Sequence, residues 1–339
     1  MGVGGLYDHL VDLLRQQGFL SLERYMELCL THPDYGYYRQ GSRLGQEGDF
    51  ITAPEITPMF GELIGLWCAQ QWMEKLAPKE AYLVELGPGR GVMMADLRRA
   101  IAKAAPQCYK NICFHAVESH RNHRKLLEKQ DVIVHENIDW LPQDRPMLIV
   151  ANEFFDALPV RQVCRRNGAF VKRGLILDPD DRLQWGERRC EQPEETFPWS
   201  NDWVEYRPKA SQIMYELSRR VTRQGGAMLI IDYGYVRRQS GDTVQAISDH
   251  RMVDIFENPG ECDLTAHVDF ESLSTAAAPL PYQLETQSDF LVRHGLWQRV
   301  EQLARAQPDR TIDLYASARR LTHPDAMGQL FKVMQINAT

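Results

Sequence analysis

Tyr82-Leu83-Val84-Glu85-Leu86-Gly87-Pro88-Gly89-Arg90-Gly91 reads as the end of a buried strand running into a glycine turn. Leu83, Val84 and Leu86 have the aliphatic character of a central parallel strand, and Met93, Met94, Leu97 and Ile101 follow at helical spacing. The glycines therefore lie between a strand and a helix. Without a Cβ they permit left-handed turns and let a ligand lie against bare backbone at the helix N-terminus. Such a turn is a cofactor seat, although an ordinary strand-to-helix connection has the same form.

The spacing narrows the choice. Gly87, Gly89 and Gly91 give G-x-G-x-G, not the G-x-G-x-x-G of a dinucleotide turn. Glu85 at the strand end would repel a pyrophosphate and suits a cofactor with a cationic amino-acid end. Glu-x-Gly-x-Gly-x-Gly after a first strand resembles motif I of the S-adenosylmethionine-dependent methyltransferases, which implies S-adenosyl-L-methionine as cofactor. Phe114-His115-Ala116-Val117-Glu118 is a second strand ending in an acid. There a carboxylate can accept hydrogen bonds from both ribose hydroxyls. A surface glutamate at a strand end is the plainer alternative.

The 339 residues carry a formal net charge of −7, which argues against a general grip on nucleic acid, since that needs surplus Lys and Arg. Apolar runs such as Met147 to Ala151 are far shorter than the roughly 20 residues of a membrane-spanning helix, so no span is expected. Seven cysteines without a C-x-x-C pair fit a reducing compartment. Asp8 and Asp12 argue against an Arg-rich transit peptide, and a cytoplasmic protein is expected. His120 and His123 share a helix face without further ligands, so a solvated face is expected there and no metal.

Around these motifs the chain divides into an N-terminal helical region over 1–78 and a cofactor domain over 79–339. Leu6, Leu10, Leu13 and Leu14 make one helical stripe, and Ser21 is placed to cap a second helix. Thr52 precedes a helix with Phe60, Leu63, Ile64 and Trp67 on its apolar face. Strands are expected at Val132–His135, Met147–Val150, Ala227–Asp232, Tyr282–Glu285 and Phe331–Ile336. Arg161 to about residue 200 alternates charged and apolar residues around Asn167-Gly168, which predicts an inserted antiparallel hairpin. A polar loop is expected over about 233–266.

Several long motifs recur together: Asp34–Tyr38, Gly48–Glu55, Met59–Glu62, Glu85–Gly91, Ala151–Pro159, Ile231–Gly234, Gly241–Ala246 and Asp263–Phe270. They closely resemble the MidA-like family of mitochondrial complex I assembly factors, which act as protein arginine methyltransferases, and their bacterial relatives. The resemblance runs from about residue 21 to the end. It implies a seven-stranded, Rossmann-like α/β sheet of the class I methyltransferase type, with the N-terminal region folded over the cofactor as a lid. It also implies symmetric dimethylation of arginine in a protein substrate, a respiratory complex I subunit for the mitochondrial members. In that architecture the turn after the third strand touches adenine, which points to Asp139, equally readable as a turn or capping residue. Thr52 is a candidate for the methionine end.

Methyl transfer is an in-line displacement, so the protein must align the acceptor, exclude water and manage a proton. A guanidinium has a pKa above about 12 and is not deprotonated in advance. Carboxylates can instead hold it bidentately and leave one nitrogen the better nucleophile. Glu153 and Asp156 are the leading candidates, with Asn152 fixing orientation and Phe154 or Phe155 walling the site. The alternatives are that these acids cap a helix starting there, or that Glu55 and Glu62 form the acidic pair. His267 is a possible base or a structural hydrogen bonder. A non-catalytic assembly chaperone of the same fold is the rival function, and the glycine spacing argues against an NAD-dependent oxidoreductase. The oligomeric state is not legible in the sequence.

Overall fold

The computed structural model of the chain describes residues 5–39, 52–193, 199 and 201–338. Strand β1 (Ala81–Leu86) is buried at every position, as expected for a strand covered on both faces. It belongs to a sheet with β2 (Ile112–Val117), β3 (Ile133–His135), β4 (Met147–Asn152), β5 (Gly226–Tyr235), β6 (Tyr282–Thr286) and β7 (Phe331–Asn337). The order across the sheet is β6-β7-β5-β4-β1-β2-β3. Strands β1 to β5 run parallel, whereas β7 is antiparallel to both β5 and β6. An eighth, two-residue strand, Val268–Asp269, pairs with the end of β5.

The chain thus winds outward from β1 through β2 to β3 and then returns to β4 on the other side of β1. Strand order reverses between β1 and β4, which opens a crevice at their C-terminal ends. Leu86 pairs with Ala151 and Asn152 with Ile231, so the ends of β1, β4 and β5 are level.

Helices cover both faces. On one, the helix Pro58–Gln71 lies so close to Val92–Ala104 that a Cβ on Gly65 would stand 2.6 Å from the carbonyl of Leu97. Phe60, Trp67, Met94 and Leu97 belong to the core there. On the other face Met214, Leu217, Phe270 and Leu273 pack from the helices Pro208–Gln224 and Phe270–Ala277.

The N-terminal helices form as expected: Leu6–Gln17 ends at Gly18 in a left-handed conformation, and the Ser21 hydroxyl caps Leu22–Thr31 by accepting from Arg24 N at 3.3 Å. They pack on a second, antiparallel sheet built from Leu20–Ser21, Arg161–Arg166, Ala169–Leu177, Leu183–Cys190 and Val204–Tyr206. Its central hairpin turns at Asn167 and Gly168, both with positive φ, the geometry two-residue hairpins favour.

One expectation changes here. The segment 233–266 is not simply a polar loop: Gln245–Ser248, Arg251–Val253 and Asp263–Thr265 make a three-stranded sheet. Ala246 and Leu264 bury in one cluster with Leu10, Tyr25 and Met26, a contribution too small to register as periodicity in so polar a stretch. Beyond β6 the chain forms two helices, Gln287–Arg293 and Leu296–Ala306, separated at Gly295, and Thr286 caps the first. A further helix, Thr311–Thr322, had no expectation attached to it. Gly48 to Ile51 and residues 194–198 of the expected linker lie outside the described residues.

Candidate active site

The turn after β1 has Gly87, Gly89 and Gly91 all in the left-handed region, with φ of 63°, 54° and 78°. Their tasks differ. Gly87 and Gly89 line a cavity of about 430 Å³ at the sheet's C-terminal edge, whereas Gly91 is outside its wall. A Cβ on Gly91 would meet Leu127 at 2.7 Å, so that glycine allows close packing at the start of Val92–Ala104.

The same cavity gathers Thr52, Glu85, Glu118, Asp139, Asn152, Glu153 and Asp156, which come from five separate stretches of chain. Glu85 is 3 % exposed, and its Oε2 has no hydrogen-bond partner among the described residues. Burial, reinforced by the charge of Glu118, pushes its carboxyl up to about 8. A buried acid without a partner cation is costly, and a positively charged ligand removes the cost. Glu118 is held from three directions: Oε1 accepts from His120 N at 2.7 Å, Oε2 accepts from Gly89 N at 3.2 Å, and His123 Nδ1 lies 3.7 Å from Oε2. His120 and His123 are therefore buried around Glu118 and do not form the solvated face expected of them. Asp139 is exposed in the turn Ile138–Trp140, its own N–H taken by Asn137 Oδ1 at 2.9 Å.

At the end of β4 the chain makes a bend in which Glu153 takes φ of 51°, a left-handed conformation that is uncommon for glutamate and marks local strain. Glu153 Oε1 accepts from Ala53 N at 3.1 Å and from Asn152 Nδ2 at 3.0 Å. Burial and the neighbouring Asp156 push its carboxyl up to about 8. Asp156 is raised to about 6, chiefly by burial, against the opposing pull of the Tyr233 hydroxyl and the Arg207 charge. Its Oδ1 and the Oδ1 of Asn152 are buried without partners among the described residues. No helix begins at 152–159, so neither acid serves as a helix cap. Phe154 faces the cavity, while Phe155 is wholly buried edge-on to it at 5.2 Å, leaving Phe154 as the wall.

The rival acidic pair separates. Glu62 accepts from Arg299 at 2.7 Å and from Arg99 at 3.1 Å, tying three helices together away from the cavity. Glu55 lines the cavity but is bridged to Arg90. His267 is not in the wall; its carbonyl accepts from Arg207 Nη1 at 2.6 Å, and burial holds its imidazole below the usual range.

Two supports had no role in the sequence reading. Asp232, fully buried on β5, accepts from Phe155 N at 3.0 Å, Asp156 N at 3.2 Å and Tyr233 N at 2.9 Å, and so fixes the bend that presents Asp156. An acid within the apolar run Ile230-Ile231-Asp232 was the available signal. Arg207 donates to the carbonyls of Leu158, Ala266 and His267, clamping two loops at the cavity edge. No local pattern marks it.

Residues 63–283 match the family described as "Putative S-adenosyl-L-methionine-dependent methyltransferase". The chain is 32% identical to the Xenopus laevis protein named protein arginine methyltransferase NDUFAF7, mitochondrial, over 98% of this chain and 84% of that one. The Homo sapiens protein of the same name is also 32% identical, over 95% of this chain and 81% of the relative. A Burkholderia thailandensis crystal structure bound to S-adenosyl-homocysteine superposes with a TM-score of 0.84 at 25% identity, covering 98% of this chain and 91% of that one.

These relatives overturn the cytoplasmic expectation, because both are named as mitochondrial proteins. A targeting segment is an address outside the fold, so acids near residue 10 do not report the compartment. The left-handed glycine turn beside the unpartnered Glu85 fits a cofactor with a cationic end. With the match spanning most of the chain, the protein belongs to this family and is a MidA-like S-adenosyl-L-methionine-dependent methyltransferase.

Proposed function

We propose that the chain methylates arginine in a protein, with Glu153 and Asp156 gripping the guanidinium. The observation that carries this reading is the bend after β4, where half-buried Glu153 meets the cofactor crevice beside buried Asp156 and Asn152, each of the latter two with an acceptor oxygen unpartnered among the described residues. Bound S-adenosyl-L-methionine supplies an electrophilic methyl group on a positively charged sulfur.

The chain's own residues do the rest. Gly87 and Gly89 give the cofactor bare backbone, Glu85 offsets its positive charge, and Glu118 accepts from the ribose hydroxyls. Asp139 takes the adenine amine, and Thr52 reaches the methionine end. Glu153 Oε1 is already engaged by Ala53 and Asn152, so Oε2 is the oxygen left for the guanidinium. With Asp156 holding a second N–H, positive charge gathers on the gripped edge and the remaining nitrogen becomes the nucleophile. The proton lost after transfer goes to Glu153, whose carboxylate is ionised by the guanidinium that it grips and stands in the site to take it. The N-terminal helices and the three-stranded sheet serve as the lid that excludes water.

A protein substrate, and among proteins a respiratory complex I subunit, follows from the family resemblance, as does symmetric dimethylation. Incubation with methyl-labelled cofactor and mitochondrial protein, followed by mass spectrometry, is expected to find label on arginine and none with Glu153→Gln. Label on another residue type would reject the arginine assignment.

A further inference from the structure

The cavity wall is lopsided in charge: nine carboxylates line it against one arginine and one lysine. The cofactor's amino-acid end carries a carboxylate as well as an ammonium, and most of this wall repels the former. Lys209 belongs to the helix Pro208–Gln224, beside Gln212, Ile213 and Glu216. Arg90 belongs to the glycine turn itself, between Gly89 and Gly91.

Arg90 is held in place. Its Nε and Nη2 donate to the same oxygen, Oε1 of Glu55, at 3.2 and 2.6 Å. Nη1 has no hydrogen bond among the described residues, so one edge of the five-donor guanidinium remains for a ligand. Glu55 mirrors this arrangement. Its Oε2 is buried, in a side chain 10% exposed, with no partner among the described residues. One bridge therefore fixes a donor edge and an acceptor oxygen side by side.

An α-amino acid carries its carboxylate and ammonium on a single carbon and complements such a pair. We propose that Arg90 and Glu55 form the subsite for the amino-acid end of S-adenosyl-L-methionine, Arg90 taking the carboxylate and Glu55 Oε2 the ammonium. The assignment rests on the cofactor and not on the acceptor, so it stands or falls independently of the arginine reading.

Calorimetry without any acceptor separates the two roles. Three probes suffice: S-adenosylmethionine, its decarboxylated form, which keeps the ammonium, and 5′-methylthioadenosine, which lacks both groups. Arg90→Ala is expected to weaken S-adenosylmethionine by about tenfold to a hundredfold, the range of a lost charge-assisted pair, and to leave the decarboxylated form within about twofold. Glu55→Gln is expected to weaken both charged ligands and spare 5′-methylthioadenosine. Should Arg90→Ala unfold, Arg90→Gln keeps the stem and serves in its place. Equal weakening of all three ligands would mean that the bridge only shapes the turn, and unchanged affinity for S-adenosylmethionine would mean that the pair does not touch it; either result overturns the assignment.

Discussion

The backbone N–H of Ala53 donates to Oε1 of Glu153 at 3.1 Å, joining the segment before the cofactor strand to the acid after β4 across 100 residues of sequence. The N-terminal region thus orients the acid that we propose meets the acceptor. Glu153→Gln keeps an oxygen for Ala53 but removes the charge. Its kcat/KM is expected to fall at least about a hundredfold, because a buried ionic grip on guanidinium contributes roughly 3 kcal/mol or more. Cofactor affinity measured by calorimetry is expected to change by less than about threefold. A comparable loss of cofactor affinity would move Glu153 out of the acceptor role.

The raised carboxyls make the ligand-free protein lose stability as the pH rises from about 4.5 to about 8. Glu85 and Glu153 hold their protons up to about 8, whereas in the unfolded chain they ionise near the usual 4.5. Between those values the folded state binds more protons than the unfolded state, so stability falls as pH rises. The slope is on the order of 1.4 kcal/mol per pH unit for each group. Denaturant titrations at several pH values are expected to show this decline, a flatter one for Glu85→Gln, and relief when S-adenosyl-homocysteine is present. A Glu85→Gln curve parallel to the parent would refute the assignment.

Asp232 is a structural anchor whose loss is expected to be felt first in stability. Asp232→Ala leaves the N–H groups of Phe155, Asp156 and Tyr233 without their acceptor. Thermal melts are expected to show a cost of about 2–4 kcal/mol, since each buried unsatisfied group costs roughly 1–3 kcal/mol and removal of a buried acid returns part of it. Asp232→Asn, which retains one acceptor oxygen, is expected to fall between. Wild-type stability in both would show that the bend holds itself.

Gly65 tests the helix packing beneath the site. A Cβ there would come within 2.6 Å of the Leu97 carbonyl and 2.8 Å of its Cα, both backbone atoms that cannot turn aside. Gly65→Ala is expected to destabilise by about 1–3 kcal/mol despite alanine's better helix propensity. Denaturant midpoints measure it, and a stabilised variant would contradict the close approach.

Much of the glycine turn and its surroundings was legible because the signals are local. A buried strand, a glycine turn and a helix occupy consecutive residues, and Glu85 and Glu118 stand at strand ends whose parallel pairing brings both beside the turn. The stripes of Leu6–Gln17 and Leu22–Thr31 and the hairpin at Asn167-Gly168 were legible for the same reason. The weaker expectations fell where burial overrides the local pattern. His120 and His123 look solvated in sequence yet wrap Glu118, and Ala246 and Leu264 anchor a sheet inside a polar stretch.

By itself the sequence determined the parallel α/β frame, the glycine turn and the presence of acids after the fourth strand, since each depends on neighbours within a few residues. Only the tertiary structure decided which acids meet. It parted Glu62 from Glu55, placed Ala53 on Glu153, set Asp232 under the bend and clamped its rim with Arg207. Those pairings join residues far apart in the chain, and hydrogen bonds between distant partners leave no periodicity to read.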